Sequence, residues 1–370
     1  MSNSQLIDLH RFLVKTLNQN QILILVNVPR SPISLDSILK EASRKSGVAL
    51  SVLKKNAKTL RDLNLIRYDE AEVSGVELTE LGWFVTRLLS REKFSFEHLV
   101  KTSSGLRPLD SVIRDLRKNV LRMIAEAGSG HLGASLSAID VLAVLYFLKM
   151  RHDPSNPSWP DRDRLVLSKG HAAPALYAVL AEAGYFPVEE LWTVRRLGSR
   201  LQGHPNTTTP GVDVASGSLG QCLSVAVGMA LAAKMDSAKH MIYVLLGDGE
   251  LNEGQVWEAA LTASQHRLDN VTAIVDRNQY QLTGRTENVK ALEPLSDKWR
   301  AFGWKVEEAD GNDPMSLLEA LDRSGSDDGR PHAVIARTTK GSGVSFMEGN
   351  RFSNKVPSVS ELHRALTELS

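Results

Sequence analysis

Short apolar runs separated by longer amphipathic stretches fill most of this chain. Residues 165–167, 241–246, 271–275 and 333–336 are apolar almost throughout, and 304–307 is expected as a further strand. Runs of this kind are strands buried on both faces, which is the habit of a parallel sheet. Between them, residues 111–127, 135–149, 172–183, 219–235 and 255–265 carry helical periodicity. Strands alternating with helices predict an α/β fold, a doubly wound parallel sheet, across residues 109–370.

The first ninety or so residues behave differently. Two short helices are expected at 34–43 and 49–63, separated by Lys45-Ser46-Gly47. A strand at Leu65 to Tyr68, an acidic turn (Asp69 to Gly75) and a second strand at Val76 to Thr79 follow. Helix–turn–helix followed by a hairpin is the layout of a winged helix, with a closing helix beginning near Thr79 to Trp83. The pattern therefore predicts a small winged-helix-like α+β domain over residues 1–95. A polar linker carrying Gly105 and Pro108 is expected over 96–108.

Composition narrows the class. A net charge of +1 makes no global case for nucleic acid or a membrane surface. One cysteine, Cys222, leaves no internal disulfide and fits a reducing cytoplasm. No run approaches the roughly eighteen apolar residues of a membrane span, and the polar start MSNSQ is no signal peptide. A cytoplasmic globular protein without a membrane association is the expectation.

Candidate chemistry sits where the strands end. Gly247-Asp248-Gly249 closes one apolar run, and Asp276-Arg277-Asn278 closes the next. In a strand–helix–strand unit both tripeptides reach the carboxyl edge of the sheet, where open α/β sheets bind ligands. A carboxylate beside an amide oxygen suits a hard cation bridging to a diphosphate. Gly130-His131, Lys169-Gly170-His171, Gly203-His204-Pro205 and Gly217-Ser218-Leu219-Gly220-Gln221 lie in other loops that follow strands or open helices.

With these motifs in order, residues 109–369 resemble the N-terminal, thiamine-diphosphate-binding half of transketolase. They are most similar to short subunits in which that half is a separate protein. DRDRLVLSKGHAAPALYAVLAEAGYFP, LGSRLQGHP, GSLGQCLSVAVGMALAAK, LLGDGELNEGQVWEAA and DRNQYQLTG carry the likeness. The resemblance implies thiamine diphosphate held through Mg²⁺, with Ca²⁺ or Mn²⁺ able to stand in. Asp248, Asn278 and the main-chain carbonyl of Tyr280 would be the metal ligands. Gly247 and Gly249 would let the backbone approach the diphosphate. Gly217 and Ser218 would present amides at a helix start, while Leu219 and Leu282 would pack on the thiazolium ring. His131, His171 and His204 match the family's active-site histidines, implying contacts to ketose hydroxyls and a share in proton transfer. The remaining histidines match no such position. Glu253 is either a solvating glutamate or, as in the family, an interface residue connecting paired active sites.

In the family the glutamate that activates the cofactor belongs to a second, pyrimidine-binding domain, usually of a neighbouring chain. This chain ends at Ser370, soon after the first α/β domain. The resemblance therefore implies a partner subunit carrying the pyrimidine-binding and C-terminal domains, with an α2β2 hetero-oligomer expected. The implied reaction transfers a two-carbon ketol unit from a ketose phosphate to an aldehyde. Two alternatives remain open: delivery of that unit to a carrier-protein thiol or lipoyl group, and a DNA-binding regulator whose larger domain senses a metabolite. Departures from the family lie near the substrate: Leu132 for a common proline, Ser342 for a frequent lysine, and no Trp-His-Gly between Glu348 and Lys355. There Ser353 or Asn354 can donate a hydrogen bond but neither carries a proton near neutral pH. In the front domain Lys54, Lys55, Lys58 and Arg61 line one helix. The acidic turn Asp69, Glu70 and Glu72 argues against a wing riding a phosphate backbone, so docking is preferred to DNA contact.

Overall fold

A computed structural model describes residues 17, 21, 24–25, 28, 34–46, 48–63, 65–68, 76–79, 99–323, 328–349 and 355–370. The chain forms two compact units, 1–98 and 99–370. In the smaller, α1 (Leu35–Ser46) and α2 (Leu50–Asp62) precede β1 (Ile66–Arg67) and β2 (Glu77–Leu78), which pair antiparallel with Ile66 opposite Leu78. Leu39, Ala42, Leu53, Ala57 and Leu60 are fully buried, at the three- and four-residue spacing that puts one stripe of each helix inside. The wing tip at Asp69, Glu70 and Glu72 and the expected closing helix beyond Thr79 lie outside the described residues. Of the four cations on α2, Lys54 is engaged by Asp36 of α1 at 2.9 Å, and Arg61 lies over the Tyr68 ring at 5.0 Å.

The larger unit opens where the polar linker was expected. Residues 99–108 form an antiparallel hairpin, β3 (Leu99–Thr102) and β4 (Gly105–Pro108), and belong to this unit. Gly105, at φ 119°, makes the turn, so the residue read as a linker breaker is a hairpin corner. Next come α3 (Leu109–Ala127), α4 (Leu132–Val144), β5 (Arg164–Leu167), α5 (Ala173–Ala183), α6 (Cys222–Met235), β6 (Ile242–Gly247), α7 (Gly254–Gln265) and β7 (Val271–Asp276). The hairpin β8 (Tyr280–Gln281) and β9 (Gly284–Arg285) precedes α8 (Thr286–Val289), α9 (Leu295–Ala301), β10 (Lys305–Asp310), α10 (Pro314–Arg323), β11 (His332–Arg337) and α11 (Val359–Glu368).

Five strands make one parallel sheet in the order β10-β11-β7-β6-β5. Side chains alternate faces along each strand, so Tyr243 and Leu245 join the core beneath α3, α4 and α5. Ile242, Val244 and Leu246 join the core beneath α6, α7 and α9. This is the doubly wound α/β sheet expected from the apolar runs. One stretch, Leu132–Lys149, has a mean hydropathy of 1.6 over 18 residues and is long and apolar enough to cross a membrane, against the sequence reading; 83% of it is buried inside the fold. An all-round apolar helix packed among α3, α5 and α10 is a core helix. Its last turn, Leu145–Lys149, is π-helical.

Candidate active site

Four of the five strands end at one cleft of about 400 Å³, within the usual range for small-molecule sites. β5 leads to Lys169 and His171, β6 to Gly247 and Asp248, β7 to Asn278 and Tyr280, and β11 to Lys340. His131 and Ala134, from the start of α4, and His204, Gly217 and Leu219, from the segment before α6, complete the wall. Gly247 pairs with Asp276 across the ladder, and the Asp248 amide donates to the Asp276 carbonyl at 3.3 Å. The two motifs singled out in the sequence therefore stand on neighbouring strand ends.

Asp248 is 1% exposed. Its Oδ1 accepts from the Gly249 amide at 2.7 Å; Oδ2 accepts from the Gln279 amide at 2.7 Å and from Arg277 Nη1 at 3.0 Å. Three of about four lone-pair positions are thus used. Asn278 Oδ1 accepts from the Tyr280 amide at 3.0 Å, while Nδ2 donates to Ser137 Oγ at 3.3 Å. Gln279, between them, is held at φ 67°, a conformation that costs a non-glycine residue on the order of 1 kcal/mol. Burial and the nearby Asp276 push the Asp248 carboxyl up to about 6 despite Arg277. The site is therefore short of positive charge.

Across the cleft the imbalance reverses. Lys340 is 4% exposed and has no hydrogen-bond acceptor or acid partner among the described residues; its Nζ lies 5.7 Å from the centre of the Tyr280 ring. Burial, with Lys169 adding to it, lowers its ammonium to about 8. Leu219 and Leu282 line the same cleft while 37% and 67% exposed, and form apolar walls suited to an apolar ring. No set of three or more His, Cys, Asp or Glu side chains among the described residues is arranged to hold a metal. An ion at Asp248 would depend on amide and carbonyl oxygens and on a ligand's own oxygens. That all-oxygen donor set fits Mg²⁺ with a diphosphate.

The three histidines converge. The His131 and His171 rings meet edge-on with centroids 5.1 Å apart, and the position of a Cβ on Gly217 would be 3.2 Å from His204 Cδ2. Desolvation, reinforced by Lys169, holds His171 down to about 2; burial and Arg195 lower His204. Burial also lowers His152, His240 and His332, which lie outside the cleft. Unfolded, all titrate near 6.5, so below that pH the unfolded chain binds more protons and folding stability falls as pH falls. Asp248, raised to about 6 and so half-protonated at that pH, opposes this in part, as do Glu250 and Asp140, whose carboxyls burial also raises, but the lowered histidines outnumber them. The urea midpoint of the cofactor-free chain is accordingly expected to be lower at pH 6 than at pH 7.5, and a rise would contradict these environments.

Other expected site residues are placed differently. α6 begins at Cys222, three residues later than its periodicity suggested, which leaves Leu219 and Gly220 in the preceding loop. The Gly220 amide does not face the cleft as a spare donor: it donates to Glu250 Oε1 at 2.8 Å. Gly249 lines the cleft, but a Cβ there would lie 2.7 Å from Gln281 Cβ, so the crowding comes from the protein itself. Ser218 and Glu253 are outside the lining, and Glu253 Cβ is what excludes a side chain at Gly220. The segment 350–354, where the family's histidine is missing, lies outside the described residues.

The partners of several residues in and behind the cleft could not be read in the sequence. Glu250 accepts from the Ser168 hydroxyl and from the Gly220 and Gly247 amides, tying together three loops. Arg277 spans Asp248, Thr286, Glu287 and Glu293. Beneath the histidines Lys169 pairs with Asp276, which also accepts from Ser137 and Thr338. Their signal was only their adjacency to the glycine motifs.

Known proteins are similar to this chain over its larger unit. Residues 110–357 match the family model described as transketolase, thiamine diphosphate binding domain. A 6-deoxy-6-sulfo-D-fructose transketolase subunit from Clostridium sp. (strain MSTE9) is 49% identical over 251 residues, 68% of this chain and 91% of that protein. An apulose-4-phosphate transketolase subunit from Actinobacillus succinogenes is 46% identical over 277 residues, covering 74% of this chain and 97% of that protein. A solved transketolase variant from Pichia stipitis superposes with a TM-score of 0.68 at 31% identity, covering 71% of this chain. This chain spans only 41% of that one.

Proposed function

The chain belongs to the transketolase family, and from that premise we propose that it is the thiamine-diphosphate- and Mg²⁺-holding subunit of a two-chain ketol transferase. The observation that carries this reading is the opposed charge imbalance of the cleft, cation-poor at Asp248 and anion-poor at Lys340, with two exposed leucines on its walls. A diphosphate bridged by a divalent cation answers both imbalances. Asp248, Asn278 and the Tyr280 carbonyl would hold the ion, Lys340 the diphosphate, and Leu219 and Leu282 would pack on the thiazolium ring.

When bound, the cofactor would supply a nucleophilic carbon and an electron sink for cleavage of the bond beside a ketone. This chain's own groups do the rest on their side of the cleft. His171, which stays neutral throughout the working pH range, offers one nitrogen as donor and one as acceptor to sugar hydroxyls. His131 and His204 share that wall and the proton movements along it. The relatives named as subunits act, by those names, on a sulfonated and a phosphorylated sugar, so an anionic ketose is the donor class we assign here. The solved transketolase is more than twice as long as the part this chain matches. The pyrimidine-binding and C-terminal parts are assigned to a partner subunit, two copies of each chain making the enzyme.

Mixing tests this directly. The purified chain is expected to bind thiamine diphosphate with Mg²⁺ yet transfer no ketol unit to an aldehyde, and to gain activity with a subunit carrying the missing domains. Turnover by the chain alone would refute the two-chain assignment.

A further inference from the structure

Three arginines, Arg195, Arg196 and Arg200, crowd the turn that leads to His204. Two are neutralised within the protein: Arg196 pairs with Glu126 at 2.5 Å, and Arg200 makes a two-pronged bridge to Glu190 at 2.7 and 2.9 Å. The side chain of Arg195 has no carboxylate or other hydrogen-bond partner among the described residues. A Cβ on Gly203 would lie 2.8 Å from its Cζ and Nη2, so the guanidinium rests against Gly203, one residue before His204. Its charge is felt at the His204 ring.

An unpaired arginine on a surface is ordinarily a solubilising group. Here the backbone is shaped around it. Arg195 sits at φ 61°, a region that side chains adopt reluctantly. Its amide donates to the Leu201 carbonyl at 2.8 Å, closing the turn. The buried Tyr177 hydroxyl donates to the carbonyls of Gln202 and His204 at 3.0 and 3.1 Å, fixing the turn to α5. Strain, a glycine slot and a buried anchor hold one uncompensated guanidinium beside a cleft histidine.

We propose that Arg195 binds the anionic end of the sugar substrate, a phosphate or a sulfonate, and so selects charged over neutral sugars. The guanidinium fork matches the paired oxygens of either group, and a lysine at the same place would offer only a point charge. This rests on the ketol-transfer reading above.

The test uses the enzyme reassembled with its partner subunit, with fructose 6-phosphate, 6-deoxy-6-sulfofructose and fructose as donors. Arg195→Gly suits the local φ and removes only the fork; Arg195→Lys restores charge without it. Loss of a charge-assisted contact is expected to raise KM for one or both anionic donors by about 30-fold or more, with kcat within about twofold and fructose unaffected. Lysine should recover part of the loss. Whether phosphate or sulfonate suffers more identifies the anion served. Equal shifts for charged and neutral donors, no shift for any, or failure of the two chains to co-elute on gel filtration would each overturn the assignment. Arg196→Gly is the control expected to change nothing. If the unsubstituted enzyme transfers from none of the donors, the ketol-transfer reading fails and not the role of Arg195.

Discussion

Asp248→Asn is expected to lower the affinity of the chain for thiamine diphosphate in the presence of Mg²⁺ by more than about 100-fold, beyond what loss of a supporting contact around a metal ligand costs. Asparagine keeps the shape and one oxygen but removes the charge that would attract the cation. Stability should fall by about 1–3 kcal/mol, because both carboxylate oxygens accept from N–H groups and the amide NH₂ meets a donor in either orientation. Arg277 would keep Thr286, Glu287 and Glu293 as partners. Titration of the cofactor by fluorescence, with and without a chelator, separates the outcomes: chelation should bring the unsubstituted chain down to the variant's affinity. Full affinity in the variant would remove Asp248 from the metal site.

The second large effect concerns the fold. Asp276→Ala leaves Lys169, 1% exposed, without its counter-charge, and breaking a buried pair in this way costs about 3–5 kcal/mol. It also takes the acceptor from the Thr338 hydroxyl and leaves the Ser137 hydroxyl only the Ala134 carbonyl at 3.2 Å. Removing both charges has a different outcome. Lys169→Met with Asp276→Leu should regain most of the stability, because apolar pairs of similar volume often replace buried ion pairs without loss. Asn278 Nδ2, which donates to Ser137 and reaches Asp276 at 3.5 Å, would lose the second of these, and Ser137 would keep only the Ala134 carbonyl as acceptor, so cofactor binding should stay impaired. Urea denaturation and cofactor titration on the unsubstituted chain and both variants check the two halves. A double variant no more stable than Asp276→Ala would show that the pair is needed for folding itself.

Much of this was legible in the chain because it depends on short-range pattern. Apolar runs marked the strands, and strand ends marked the cleft, so Asp248 and Asn278 could be placed side by side from spacing alone. Glycine–histidine pairs marked three loops that the fold brings to one wall. What stayed hidden depends on partners distant in sequence. Glu250 looks like any acidic residue after a turn, and only the approach of Ser168 and Gly220 makes it a hub. Arg277, between two motif residues, reads as surface charge until Thr286, Glu287 and Glu293 fold over it. The hairpin at 99–108 was masked by its polar composition, since a short ribbon in which only Val100 and Thr102 are buried among the described side chains lacks the apolar signature of a core strand. The late start of α6 was a boundary error that mattered, because it changed what the Gly220 amide does.

Pairing of Gly247 with Asp276 turns the sheet into a ruler for the cleft. The gap between the two candidate ligand loops is an interstrand spacing, roughly 4.8 Å, and it does not depend on the path of the chain from one strand to the other. Helix α7 and the turn after it can drift in sequence or gain residues on their outer side while the two loops stay one rung apart. The part of the molecule free to diverge is thus uncoupled from the part that must keep its dimensions.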